Sequence, residues 1–293
     1  MIEYPLSTYA SEYWTQHAQI LGSDLGRFQD LSLELLRADG NAFLNWLRLR
    51  NRGVFIGTDG SICDGPRPPY IDEDGEAGVG PLHMMVNEYG VDEIVPHLLD
   101  RGEDANAKTF LGFTALMLAS LLGHEANVRR LIQHDATVND IGPEGTALMV
   151  ASSNGHIKIV CLLLKHGSDV NIVYKGPTAL MKASSRGYTT VVRLLLDYGA
   201  DVTVACEGVT ALMIASSNGH VGIVGFLLEY GSDVNVVCEG ATALMEASSG
   251  GYTEVVNLLH EHGADVNVVS HCDSRTALSE ASSQHGNDAA LQL

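Results

Sequence analysis

The sequence predicts an all-α solenoid, built of helix-turn-helix units with hairpin fingers and preceded by a small helical segment. Three observations predict it. First, Thr-Ala-Leu-Met returns at Thr114, Thr146, Thr178, Thr210 and Thr242, every 32 residues, with a last Thr-Ala-Leu at Thr276. A fixed period of that size signals one supersecondary unit stacked many times. Second, each unit contains two short apolar-periodic stretches separated by glycine, the pattern of two helices. Third, those helices span about three turns or fewer, too short to stand alone in water, so they must bury their apolar faces against neighbouring units.

Taken in order, residues 1–50 form a helical segment of a different kind. Tyr9, Tyr13, Trp14, His17 and Leu21 share one helical face, and Phe28, Leu31, Leu35 and Leu36 mark a second helix after Asp24. Phe43, Trp46, Leu47 and Leu49 mark a third after Asn41. Residues 51–79, acidic and rich in Gly, Pro and Asp, read as a linker or long loop. A degenerate first repeat occupies 80–111, and Pro96 is expected to shorten or bend its second helix. Full repeats follow at 112–143, 144–175, 176–207, 208–239 and 240–273, with a partial C-terminal repeat at 274–293.

The unit from Thr146 shows the internal logic. Leu148, Met149, Ala151 and Ser152 lie on one face of a first helix that Gly155 ends. Ile159, Val160, Leu162, Leu163 and Leu164 form the stripe of a second, closed by Gly167. Threonine at the start suits an N-cap and glycine past the end a left-handed C-cap. Asp169 to Val173 is extended and runs to a turn at Lys175-Gly176. A longer beat is superimposed. The units from Thr146 and Thr210 share Ser-Ser-Asn-Gly-His and Gly-Ser-Asp-Val-Asn, whereas those from Thr178 and Thr242 share Gly-Tyr and Gly-Ala-Asp-Val, as if a 64-residue pair had been copied.

These residues resemble the ankyrin repeat, whose consensus runs Gly-x-Thr-Pro-Leu-His, two alanines, Gly-His, Val-Val-x-Leu-Leu-Leu and Gly-Ala-Asp-Val-Asn. Gly251-Tyr252, Val255-Val256, Leu258-Leu259 and Gly263 to Asn267 match at the same spacing, and the resemblance covers residues 80–293. The units here are one residue shorter, in the finger. Alanine replaces the motif's proline, and Met117, Met149, Met181, Met213 and Met245 replace its histidine, exchanging a polar inter-repeat hydrogen bond for a flexible apolar filler. Only Gly80-Pro81-Leu82-His83 keeps the Pro-Leu-His form. Residues 1–50, through Pro5 to Ala18 and Phe43 to Leu47, resemble the helical segment that precedes the repeats in fungal NACHT-ankyrin proteins. Those are signalling NTPases. This sequence has no Gly-x4-Gly-Lys-Ser/Thr phosphate loop, so the resemblance implies the sensing half alone.

Charge narrows the function. There are 17 basic and 36 acidic residues, a net charge of -19. Residues 59–105 hold twelve carboxylates against Arg67 and Arg101, a net of -10. Direct nucleic-acid binding is not expected, because that affinity comes mainly from basic side chains on phosphates. No secretory signal and no membrane span are expected. The five cysteines form no close pair and suit a reducing compartment, so the expected location is cytoplasmic or nuclear. Cys206 and Cys238 stand on adjacent fingers, roughly 10 Å apart by helix-packing distances and beyond disulfide reach. His124, His156 and His220 recur at the Gly-His position and are read as structural. No metal or cofactor is expected.

Function must then lie in what the period leaves free. In ankyrin domains, partners bind an inner face of finger tips and exposed first-helix positions. The resemblance places Glu144, Tyr174, Lys175, Glu207 and Glu239 on fingers. It places Leu118, Val150, Lys182, Ile214 and Glu246 on first helices, with Arg186 and Asn218 at helix ends. The expected function is a non-enzymatic protein–protein interaction module, an adaptor or scaffold serving as a fungal regulatory or co-regulatory protein. The alternative is a small-molecule isomerase or cyclase of fungal specialised metabolism. It would use Glu246, Glu239 or Glu207 as acid or base, assisted by Lys182 or Tyr174, and would need an enclosed pocket.

Overall fold

The structure, a computed structural model, describes residues 54–56, 62–64, 81–84, 86, 94–109, 111–238, 240–269, 276, 277 and 279. The helical segment expected over residues 1–50 lies outside these, as does most of the last partial repeat. The chain forms two compact units, Met1–Ala147 and Leu148–Leu293.

In the first unit, β1 (Val54–Ile56) and β2 (Ile62–Asp64) pair antiparallel, with Phe55 opposite Cys63. A hairpin thus stands inside the stretch read as linker. In the sequence its β-branched and aromatic runs flank Gly-Thr-Asp-Gly, a local signal that the Gly, Pro and Asp content of the whole stretch obscures. Helices α1 (Pro81–Met84) and α2 (Ile94–Asp100) come next, then α3 (Ala115–Leu122) and α4 (Glu125–Gln133). Within this unit α1 packs on α2 and α3, and α2 and α3 both pack on α4. Helix α2 has seven residues where α4 has nine. Pro96 sits in the first turn of the described helix, where a missing N–H breaks no intrahelical bond, so it does not interrupt it.

His83 is buried, and its Nε2 lies 2.9 Å from the Ala107 carbonyl oxygen, pinning the base of the next finger. In the following repeat Met117 takes the equivalent place, its sulfur packed against Gly142 so closely that a Cβ there would lie 2.5 Å away. The exchange of a polar for an apolar contact that the sequence implied is therefore visible within one unit. Between repeats runs a pair of bonds. Asn106 donates from Nδ2 to the Asp135 carbonyl (3.2 Å) and accepts at Oδ1 from the Thr137 N–H (2.7 Å). Asp135 itself adopts φ 61°, at the αL position that glycine fills after every other complete second helix.

The second unit repeats the plan. The pairs are α5 (Ala147–Ser153) with α6 (Ile157–Lys165), α7 (Ala179–Arg186) with α8 (Thr189–Asp197), α9 (Ala211–Ser217) with α10 (Val221–Glu229), and α11 (Ala243–Ser249) with α12 (Thr253–Glu261). First helices pack in a row, α7 on α9 on α11, and second helices in another, α6 on α8 on α10 on α12. The core is the predicted one: Leu180, Leu212 and Leu244 with their neighbouring alanines and methionines, and the Val-Val or Ile-Val pairs of the second helices. Thr178, Thr210 and Thr242 cap their helices, each hydroxyl accepting from the methionine N–H three residues on at 3.3 Å. Thr276 repeats the cap with Ser279 in the methionine place, each backbone N–H bonding the other's hydroxyl.

Three details tie one repeat to the next. Rings sit on glycines: Tyr188 on Gly155, His220 on Gly187, Tyr252 on Gly219. Those glycines have φ of 72°, 77° and 70°, so positive φ and close approach both demand glycine. This gives the recurring Gly-His and Gly-Tyr pairs the structural role read from the sequence. Asparagines bridge as before: Asn171 to Gly199 and Asp201, Asn235 to Gly263 and Asp265. At the intervening position the residue is Thr203, whose hydroxyl turns back to Asp201 (2.7 Å) and holds that carboxyl below its ordinary pKa. Finally, the Tyr230 hydroxyl donates to Asp197 at 2.6 Å, which pushes its pKa up.

Two outcomes follow. Thr203→Asn restores a two-bond bridge toward Gly231 and Asp233 and is expected to add about 1 kcal/mol, read as a raised urea midpoint. Burial is the main cause lowering the pKa of His83 from 6.5, the Ala107 bond opposing it. The unfolded chain then takes up a proton below about pH 6.5 that the folded chain refuses, so this contribution is complete above that pH and lost below it. His83→Met, the residue of the other repeats, should remove that acid loss. The thermal midpoint of the variant relative to wild type should therefore rise as pH falls from about 7.5 to 5.5.

Candidate functional site

Two fingers of the second unit carry a charge on strained backbone. In the second unit β3 (Ala205–Cys206) and β4 (Val209–Thr210) pair antiparallel around a two-residue turn at Glu207-Gly208, with φ of 52° and 83°. Two consecutive positive φ values define the primed hairpin turn, whose first place favours Asn or Asp. Lys175-Gly176 has the same geometry, with φ of 51° and 102°. A non-glycine residue there costs roughly 1–2 kcal/mol. Both side chains are exposed. The Lys175 ammonium lies 5.0 Å from the centroid of the Tyr174 ring, a cation–π contact that steadies the tip. Beneath the tips the cysteine of one finger seats on the glycine of the finger before, Cys206 on Gly176 and Cys238 on Gly208. Cys238 Sγ also donates to the Glu207 carbonyl at 3.1 Å. Neither thiol is in a disulfide, and both have a packing role.

Behind the fingers, Lys182 and Arg186 stand four apart on α7, one turn from each other on the same face. Lys182, Ile214 and Glu246 occupy the same position on α7, α9 and α11, each half-buried. Adjacent helix axes lie about 8–10 Å apart, so the two charges stand some two spacings from each other. That exceeds the screening length of about 8 Å at physiological salt, and each end of the row acts on a ligand independently. The row therefore grades from basic through apolar to acidic.

The remaining predicted residues fall as follows. Glu144, in the first unit, is exposed on a Pro143-Glu144 turn between bridged Gly142 and Gly145. Asn218 is exposed, but its amide donates to the Ile214 carbonyl at 2.7 Å and so closes its own helix. Glu239 lies outside the described residues. Leu118 and Val150, expected to face solvent, are 9% and 3% exposed. At this position Lys182 and Glu246 reach water on long stems, and apolar Ile214 is half-buried between them, whereas Leu118 and Val150 are buried.

The structure adds a row that the sequence reading missed. Val173, Val237 and Val269 are 51%, 46% and 48% exposed, with Ala205 exposed between them. They alternate with half-buried neighbours along each finger, a period-two signal present in Asp-Val-Asn-Val-Val but masked by the stronger 32-residue beat. A cavity of about 310 Å³ lies at the opposite end of the repeats, lined by Gly155, Ile157, Gly187, Tyr188, Thr189, Thr190 and Val191. It contains no carboxylate, so the acid–base arrangement expected of Glu207, Glu239 and Glu246 has no place there. Among the described residues no group of His, Cys, Asp and Glu could hold a metal ion, and no helix is long and apolar enough to cross a membrane.

Comparison with known proteins agrees with the repeats. A family model of ankyrin repeats in three copies matches residues 82–174 and 172–238, and a single ankyrin-repeat model matches 239–271. The crystal structure of the human ASB11 ankyrin repeat domain is 26% identical, with 73% of this chain and 97% of that chain covered and a TM-score of 0.65. The ankyrin repeat domain of Bcl-3, a unique member of the IkappaB protein family, is 27% identical, with 74% and 99% covered and a TM-score of 0.64. No curated protein sequence matches. The family models begin at residue 82, so the likeness of residues 1–50 to NACHT-ankyrin proteins is not among these findings.

Replacing Lys175 or Glu207 by Asn relieves the tip strain. Each substitution is expected to add about 0.5–1 kcal/mol, measured as a higher thermal midpoint.

Proposed function

This chain belongs to the ankyrin-repeat family, whose repeats are protein–protein interaction modules in general, and from that premise we propose that it is a non-enzymatic adaptor or scaffold. Its partner docks on the face of finger tips and first helices of the second unit, against Tyr174, Lys175, Lys182, Arg186, Glu207, Asn218 and Glu246; Glu144 and Glu239 are further candidate contacts named from the sequence alone. The observation that carries this reading is the pair of charged side chains at Lys175 and Glu207, held at φ of 51° and 52°. Local backbone preference calls for Asn or Gly at those places, and a strained backbone that carries an exposed charge is a mark of function. The opposite charges of Lys182 and Glu246 on parallel helices give the face a direction, which sets a partner's register more than its affinity.

The test is affinity capture from extract of the native cells with wild-type protein and with the Glu207→Lys, Glu246→Lys double variant. Recovery of the partner should fall about tenfold or more, while circular dichroism and thermal midpoint stay unchanged. Equal recovery by a variant altered along the whole row would end this reading.

A further inference from the structure

The Ser-Ser-Asn-Gly-His segments shared by alternate repeats carry a chemistry that partner binding does not use. We propose that Asn154 and Asn218 are deamidation sites kept latent by the fold. In an Asn-Gly pair, the glycine nitrogen attacks the asparagine Cγ; an N–C bond forms, the Cγ–Nδ2 bond breaks and ammonia leaves. Water then opens the cyclic imide to aspartate or isoaspartate. Glycine favours the step because no side chain crowds the attack, and this makes such pairs thermolabile.

The structure opposes each movement the reaction needs. Asn218 is held at ψ 0°, part of the helix end, where the next nitrogen stays away from Cγ. The attacking N–H of Gly219 is bonded to the Ser216 carbonyl at 3.2 Å. The leaving amide donates to the Ile214 carbonyl at 2.7 Å. Across the glycine lies the Tyr252 ring, from the next repeat. At Asn154 the same restraints recur: Gly155 N–H on Ser152, the amide on Val150 at 2.8 Å, and the Tyr188 ring on Gly155. In the other two repeats of this unit the place belongs to Arg186 and Gly250, so only alternate repeats carry the site. Conversion replaces a donor by a carboxylate beside helix-terminal carbonyls, whose partial charge is negative, and so loosens the helix end. At Asn218 it also adds a negative charge to an exposed position.

Peptide mapping by mass spectrometry, following the gain of about 1 Da at each site in warm, mildly alkaline buffer, tests this. The synthetic peptide Ser-Ser-Asn-Gly-His should convert about tenfold or more faster than either site in the folded protein, because reaction requires local opening. Tyr252→Ala should accelerate Asn218 and leave Asn154 unchanged; Tyr188→Ala should do the reverse. Equal rates in peptide and folded protein, or an unreactive peptide, would overturn the proposal. So would a rise at both sites in either variant, since protection would then belong to global folding rather than to the local ring.

Discussion

No helix in this protein exceeds nine residues among those described, and helices of that length do not hold together in water alone. Everything else depends on the burial of first helices against one another, as in the row α7, α9 and α11. The Ala-Leu-Met face makes this possible. Alanine lets the backbones approach, leucine fills the gap behind, and methionine adapts to the finger. Burying one leucine contributes about 1.5–3 kcal/mol, so a single repeat gains far too little to offset the ordering of its backbone. Several in series suffice. The caps, glycine turns and asparagine bridges refine a stack that this contact creates.

The same constraint explains what could be read from the sequence. Burial repeats identically in each unit, so the 32-residue beat, the threonine caps and the core of both helices were legible at once. The Met-for-His exchange was legible too, and the His83 bond to Ala107 and the Met117 contact with Gly142 show its two forms. What escaped lies between units or outside the beat. Cross-repeat partners such as Asn171 with Gly199 need the stacking geometry, which no single unit displays. The hairpin of β1 and β2 was hidden by the composition of its surroundings.

The candidate face was legible in part, for a physical reason. Residue type says which positions vary, but not how far each is exposed: Lys182 and Ile214 are half-buried and Val150 is buried at equivalent places. Lys175 and Glu207 were named as tip residues, yet the strain that distinguishes them is a backbone property and appears only as a dihedral angle. Asn218 was grouped with them, and its amide proves to be engaged in closing α9. Exposure and availability are different things at such a surface.

The rings seated on glycines have a consequence for how such a chain can change. Gly155 accepts a tyrosine, Gly187 a histidine and Gly219 a tyrosine, on nearly the same backbone. The junction therefore behaves as a standard coupling, indifferent to which of the two rings arrives. Units joined this way can be inserted, deleted or shuffled whole, because the next glycine receives whatever ring follows. An array of this kind evolves in length and in surface independently, and a gene that duplicates two units at a time inherits working joints.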